Sequence, residues 1–317
     1  MPELSAENAA EWLRRHELPC EAVRFTELGG GISNKVILAE APGFRAVLKQ
    51  SLGQLRTEQG WFSDRNRIFR EAAAMRWNAN AGRVPRILVE DPETFTIAME
   101  AAPHGAEMWK TQLFRGEART EIARAAGLAL GSMISAAWNN AEAERVFGDQ
   151  TVFDQLRIDP YYRFTARQRP EAAEYIGDLI ARSAARRVSL AHGDYSPKNL
   201  LVHGDSVWVI DWEVTHFGDP AFDIGFLLNH LLMKTIALPR HAAKIAPLAD
   251  AFLDALSPQA AGLIPAAFEH LPALLLARVD GKSPAEYLDV AMREQAASLA
   301  LRLMRKPASS FDEVLAR

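Results

Sequence analysis

The sequence predicts an α+β chain of two lobes, a small β-rich amino-terminal lobe and a larger, mainly helical carboxy-terminal lobe with one hairpin. Three observations lead there. The 317 residues exceed one minimal domain. Short β-like runs crowd residues 22–100 and then give way to helical periodicity. The helical half is interrupted once, where Leu200-Leu201-Val202 and Val207-Trp208-Val209-Ile210 flank His203-Gly204-Asp205-Ser206, a turn signal between apolar runs.

Taken in order, residues 6–16 read as a short amphipathic helix. Strands are expected at 22–27, 35–40, 46–50 and 94–100, separated by Gly29-Gly30-Gly31, by Ala41-Pro42-Gly43 and by a helix over about 64–79. Glu100-Ala101-Ala102-Pro103-His104-Gly105 reads as a connector, dividing the chain into lobes 1–102 and 103–317. Asp219-Pro220 opens an apolar helix over 221–232, with Asp at the N-cap and Pro at the first helical position. Asp223, in its first turn, needs hydrogen-bond donors if buried, and the backbone of the segment at 192–199 is the expected source.

Composition narrows the function. The formal net charge of −4 argues against a nucleic-acid binder. The single cysteine, Cys20, excludes an intrachain disulfide. The first residues show no apolar leader, and no stretch approaches the apolar length of a membrane span. The expectation is a soluble cytoplasmic protein with neither nucleic-acid nor membrane partners.

The chemistry concentrates in His192-Gly193-Asp194-Tyr195-Ser196-Pro197-Lys198-Asn199, followed twelve residues after the Asn by Asp211. A register that pairs Val202 with Val207 sets Asn199 opposite Ile210 and Lys198 opposite Asp211, bringing the Asn199 amide and Asp211 carboxylate together at the open end of the hairpin. Such hard oxygens suit Mg²⁺, which keeps room for phosphates and water. Asp194, in the loop held by Pro197, can accept a hydrogen bond from an attacking hydroxyl; phosphoryl transfer demands positioning and charge neutralisation of this kind. The second His-Gly-Asp, at 203–205, is the hairpin turn.

The segment resembles the aminoglycoside phosphotransferase and choline kinase superfamily, with its protein-kinase-like fold. His192-Gly193-Asp194 stands where protein kinases carry His-Arg-Asp, Asp211-Trp212-Glu213 where they carry Asp-Phe-Gly, and Gly218-Asp219-Pro220-Ala221-Phe222-Asp223-Ile224-Gly225 is typical of the small-molecule branch. The resemblance implies an ATP-dependent phosphotransferase acting on a hydroxyl of a small molecule such as a sugar, amino sugar or amino alcohol. Asp194 would be the catalytic base, and Asn199 and Asp211 the Mg²⁺ ligands. Only seven residues separate Asp211 from Asp219, leaving no segment to dock a peptide. The other class in play is a non-catalytic nucleotide-binding protein on the same fold.

On the nucleotide side, Lys49 ends the strand-like run at 45–48 and is placed to reach the ATP phosphates, paired as in kinases with Glu71, which shares a helix face with Ile68. Gly30 and Gly31 allow close backbone approach to phosphate, while Ser33 either donates to a phosphate or caps the turn. By resemblance alone, Glu100 and Ala102 would contact adenine. On the acceptor side, the stretch Phe153–Tyr162, Asp211-x-Glu213 and Lys49-Gln50 look like 5-methylthioribose kinases, whose twin arginine is here the single Arg278 after Ala277. Tyr161, Tyr162, Glu213 and Arg278 are the acceptor-side candidates; packing between helices is the open alternative for the tyrosines.

Overall fold

A computed structural model describes residues 3–29, 33–54, 62–80 and 84–317. They fall into two compact units, the first ending at His104 and the second beginning at Gly105. The fold is mixed α/β as expected, with an antiparallel sheet in the first unit and mainly helices in the second.

In the first unit, β1 (Arg24–Glu27), β2 (Asn34–Ala41), β3 (Phe44–Ser51), β4 (Ile87–Asp91) and β5 (Thr96–Glu100) form one sheet in the order β1-β2-β3-β5-β4. Helix α1 (Ala9–Arg15) packs Trp12 and Leu13 onto one face of the sheet, against Ile37, Ala39, Leu48 and Ala98. Side chains alternate along a strand, so Lys49, next to Leu48, points to the other face. There α2 (Arg67–Trp77) buries Ile68, Glu71, Ala72 and Met75 as one stripe at helical spacing. Strand β4 is absent from the sequence expectation. It is a short run between Pro85 and Pro92, at the sheet edge with a register shift between Ile87 and Val89, and only its pairing with β5 distinguishes it from loop.

The second unit opens with β6 (Glu107–Met108), α3 (Trp109–Phe114) and α4 (Thr120–Ala136). A stretch of π-helix, Asp154–Arg163, contains Pro160; wide turns of this kind recur at functional sites. Then β7 (Ser189–Ala191) pairs with β10 (His216–Gly218), and the hairpin β8 (Leu200–His203) and β9 (Ser206–Val209) extends β6. Val202 faces Val207 as the sequence requires, and Ile210 N donates to Asn199 O at 3.0 Å.

Helix Ala221–Ala237 runs one turn beyond its predicted end. Pro220 sits at its N-cap rather than the first helical position, with Asp219 Oδ1 still accepting from Ala221 N at 3.1 Å. Fifteen of its 17 residues are buried, which makes it a core helix. Gly225 lets it approach helix Ile264–Asp280 closely: a Cβ there would lie 2.7 Å from Ala267 O. Among the described residues, no single helix is long and apolar enough to cross a membrane.

Candidate active site

The segment 192–199 leaves β7 and enters β8, and its shape is held from four sides. Gly193 takes φ +76, and a Cβ there would lie 2.6 Å from the Val214 side chain, so only glycine fits. The Asp223 carboxylate accepts from His192 N at 2.5 Å and Gly193 N at 2.8 Å, the brace its position implied. Burial pushes its carboxyl up to about 7, against the pull of both N–H groups. His192 Nδ1 accepts from Asp194 N at 3.2 Å, which puts the ring proton on Nε2, 3.1 Å from Ile210 O. Burial pushes this imidazole down to about 4 and keeps it neutral. Finally, Tyr195 Oη donates to Ala126 O of α4 at 2.7 Å.

Removing the Asp223 carboxylate orphans two buried donors, each worth about 1–3 kcal/mol. Asp223→Ala is therefore expected to cost about 2–6 kcal/mol in chemical unfolding. An unchanged unfolding midpoint would mean that the loop is held by the packing of Gly193 on Val214 instead.

At the centre is Asp194, 3 % exposed. Three donors converge on its Oδ2: Arg157 Nη2 at 3.0 Å, Lys198 Nζ at 2.9 Å and Asn199 Nδ2 at 2.8 Å. No described residue donates to Oδ1. Burial raises this carboxyl, but Arg157 and Lys198 outweigh burial and hold it below the ordinary range. It is thus ionised at neutral pH and suited to orienting a hydroxyl more than to strong base catalysis. The Asn199 amide nitrogen is committed to Asp194, donating to its backbone oxygen at 2.9 Å and its Oδ2 at 2.8 Å. Asp211 follows β9 at φ +68, a left-handed conformation that Asp tolerates better than most residues.

Arg157 is a site residue that the sequence motifs do not mark. It comes from the π-helix, donates through Nε to Gly193 O at 2.6 Å and stacks near the rings of Tyr161 and Phe226, at 5.6 and 5.9 Å. A lone Arg between Leu156 and Ile158 was the available signal, because a cation in a buried run requires a partner. Hairpin register places Lys198, half exposed, but its pairing with Asp194 comes from the fold of the loop.

In the first unit, Lys49 Nζ meets Glu71 at 2.9 and 2.6 Å, both residues being buried. Glu71→Ala strips a buried ammonium of this carboxylate and is expected to lower stability by about 3–5 kcal/mol. The double change Lys49→Met with Glu71→Leu, measured alongside, should recover most of that loss.

Ser33 O accepts from Leu52 N at 3.0 Å and from Arg67 Nη2 at 2.5 Å, and Ser33 Oγ accepts from Asn34 Nδ2 at 3.0 Å. Gly30 and Gly31 lie outside the described residues. Glu100 N is spent on Arg86 O at 2.8 Å and Ala102 O on Arg45 Nη1 at 2.7 Å, whereas Ala102 N donates to no described residue.

Of the acceptor-side candidates, Tyr161 and Arg278 meet, Arg278 Nη1 donating to Tyr161 Oη at 3.2 Å. Glu213 is buried. Tyr162 does not line a pocket: it is 0 % exposed, with its hydroxyl on His270 Nδ1 at 2.7 Å, so the packing alternative holds for it.

A model of the phosphotransferase enzyme family matches residues 24–255. The sequence is similar to a methylthioribose kinase of Enterobacter sp. (strain 638), 24% identical over 271 residues, covering 75% of this chain and 67% of that one. A methylthioribose kinase 2 of Oryza sativa subsp. japonica is 25% identical over 258 residues, covering 70% and 59%. The chain thus spans about two thirds or less of the length of these curated relatives. Among solved structures, a choline/ethanolamine kinase family protein from Mesorhizobium loti superposes with TM-score 0.52 at 20% identity, covering 98% of this chain and 97% of that one. An amicoumacin kinase in complex with AMP-PNP, Ca²⁺ and Ami superposes with TM-score 0.60 at 13% identity, covering 92% and 91%.

Proposed function

The chain belongs to the phosphotransferase enzyme family, and on that footing we propose that it is an ATP-dependent kinase transferring the γ-phosphate to a hydroxyl of a small molecule. The observation that carries this reading is the Asp194 carboxylate, loaded with three donors on one oxygen and open on the other. A protein that only bound nucleotide would have no use for such a group. The relatives named above, kinases of methylthioribose and of amicoumacin, support a small-molecule acceptor.

Asn199 Oδ1 and the Asp211 carboxylate form a hard-oxygen set that fits Mg²⁺, which when bound supplies charge neutralisation for the phosphates. Lys49, held by Glu71, contacts the phosphates, and Ala102 N serves the adenine. Asp194 Oδ1 accepts the hydrogen bond of the acceptor hydroxyl and aligns its lone pair for attack. As the O–P bond forms and the bond to the ADP oxygen breaks, the hydroxyl proton is released toward this carboxylate. Arg157 and Lys198 keep the carboxylate ionised and fixed.

The test is Mg²⁺-dependent ADP formation against a panel of hydroxyl compounds, with Asp194→Asn as the blank. The panel holds methylthioribose, other sugars, aminoglycosides, choline, ethanolamine, homoserine and hydroxy acids. Turnover with at least one acceptor, lost in the variant, is expected. Tight Mg²⁺-ATP binding with no turnover across the panel would favour a binding protein instead.

A further inference from the structure

Near the catalytic loop the second unit collects more positive charge than phosphoryl transfer onto a neutral acceptor uses. Lys234, on the core helix Ala221–Ala237, is 1 % exposed. Its Nζ lies 2.9 Å from Tyr287 Oη, 4.1 Å over the Tyr287 ring and 4.5 Å over the Phe114 ring. Lys110 Nζ lies over the same Phe114 ring at 5.9 Å, and Lys110 N donates to Pro197 O of the catalytic loop at 2.9 Å. Arg278 bonds Tyr161 Oη and Ser283, while its buried Nε has no hydrogen-bond acceptor among the described residues. Tyr161 in turn lies beside Arg157, which pairs with Asp194.

Arg157 and Lys198 both pair with Asp194, and the Asp211 carboxylate acts on both as well. Lys110, Lys234 and Arg278 make no ion pair with a carboxylate among the described residues. Burying an ammonium without a counter-charge is costly, and a fold tolerates it where a ligand supplies the charge. The carboxylate that acts on Lys110 is Glu286, and it is exposed to solvent.

We propose that this cluster is the acceptor subsite and that the acceptor is an anionic hydroxy compound, its carboxylate or phosphate held by Lys110, Lys234 and Arg278. Aromatic faces of Phe114, Tyr161 and Tyr287 lie against the cations, of which Lys234 is buried, Arg278 half-buried and Lys110 exposed at the rim. A cationic acceptor such as an amino sugar is disfavoured, because it would meet three like charges at short range. The mutual repulsion is already felt in the protein: burial first, then Lys110 and Arg278, push the Lys234 ammonium down to about 7. Burial and the same basic groups also hold His230 well below its ordinary range.

The inference rests on the kinase reading, and the experiment separates the two. Glycerol, D-glycerate and glycerol 3-phosphate share a hydroxylic frame and differ in charge; choline and an aminoglycoside add the opposite sign. Each is assayed for Mg²⁺-ATP-dependent phosphorylation and, by calorimetry, for binding. The expected result is that an anionic member binds at least tenfold tighter than glycerol and leads any turnover. Lys234→Met and Arg278→Met should each raise its KM or Kd tenfold or more while leaving Mg²⁺-ATP binding unchanged. Lys234→Met should also raise Tm, since it removes a buried unpaired charge, which a merely structural lysine would not do. Preference for glycerol, choline or the aminoglycoside overturns the proposal and leaves the kinase standing. Binding of none of the anions, or equal binding by the variants, overturns it as well. Anion binding without any phosphorylation would uphold the subsite and count against the kinase reading. Carboxylate and phosphate are told apart by which of the two anions binds.

Discussion

Asp194→Asn is expected to lower kcat by about 10³-fold or more, within the range that a positioned acid–base group contributes, while leaving Mg²⁺-ATP affinity within a few-fold of the wild type. The amide keeps the shape of the carboxylate but presents one oxygen instead of two and carries no charge. That oxygen cannot serve both the hydroxyl on one side and the donors Arg157, Lys198 and Asn199 on the other. Because Arg157 is buried, the variant should also be less stable, so circular dichroism must accompany the kinetics. Retention of transfer would remove Asp194 from the chemistry. Loss of nucleotide binding in a folded variant would reassign it to the nucleotide.

Asp211→Ala is the second large effect. It should abolish the Mg²⁺ dependence of ATP binding, raising the Kd for Mg²⁺-ATP by about 10²-fold or more, since a residue that only supports a metal ligand already contributes about 10–100-fold. Metal-free ATP binding should be unaffected. At φ +68 an alanine carries strain of about 1–2 kcal/mol, so Asp211→Asn, which tolerates that conformation without the charge, separates the two causes. Equal Mg²⁺ dependence in the wild type and both variants would displace the metal assignment from Asp211.

The residues behind these predictions are legible in the sequence to very different degrees. The hairpin is written in its own residues, because Gly204-Asp205 forces the reversal and the register then follows by counting; Val202 opposite Val207 and Asn199 bonded to Ile210 follow from it. The Lys49–Glu71 pair is legible too, since strand alternation sends Lys49 to the face opposite Leu48 and helical spacing puts Glu71 in line with Ile68. Asp223 is legible as a brace because a buried carboxylate must find donors. Strand β4 is not, since an edge strand of three apolar residues is defined by its neighbour.

Arg157 shows the limit more sharply. Thirty-seven positions separate it from Asp194, as numbered in the sequence, and nothing in local periodicity links them. The π-helix, which shifts the direction of side chains relative to an α-helix, delivers its guanidinium to the Asp194 carboxylate. The same holds for the cluster of Lys110, Lys234 and Arg278, drawn from three helices. In the sequence, Lys234 is only a polar residue near the end of an apolar helix.

By itself, then, the sequence determined the class of fold, the hairpin and its register, and the identity of the reacting and metal-ligating candidates, because those depend on residue type and short spacings. Tertiary structure alone decided which cations guard Asp194, that Tyr162 belongs to the core with His270, and that unmatched positive charge gathers beside the segment 192–199. The physical reason is range: backbone preferences act over a few residues, whereas charge pairing and burial depend on which distant segments the packed core brings within a few ångströms.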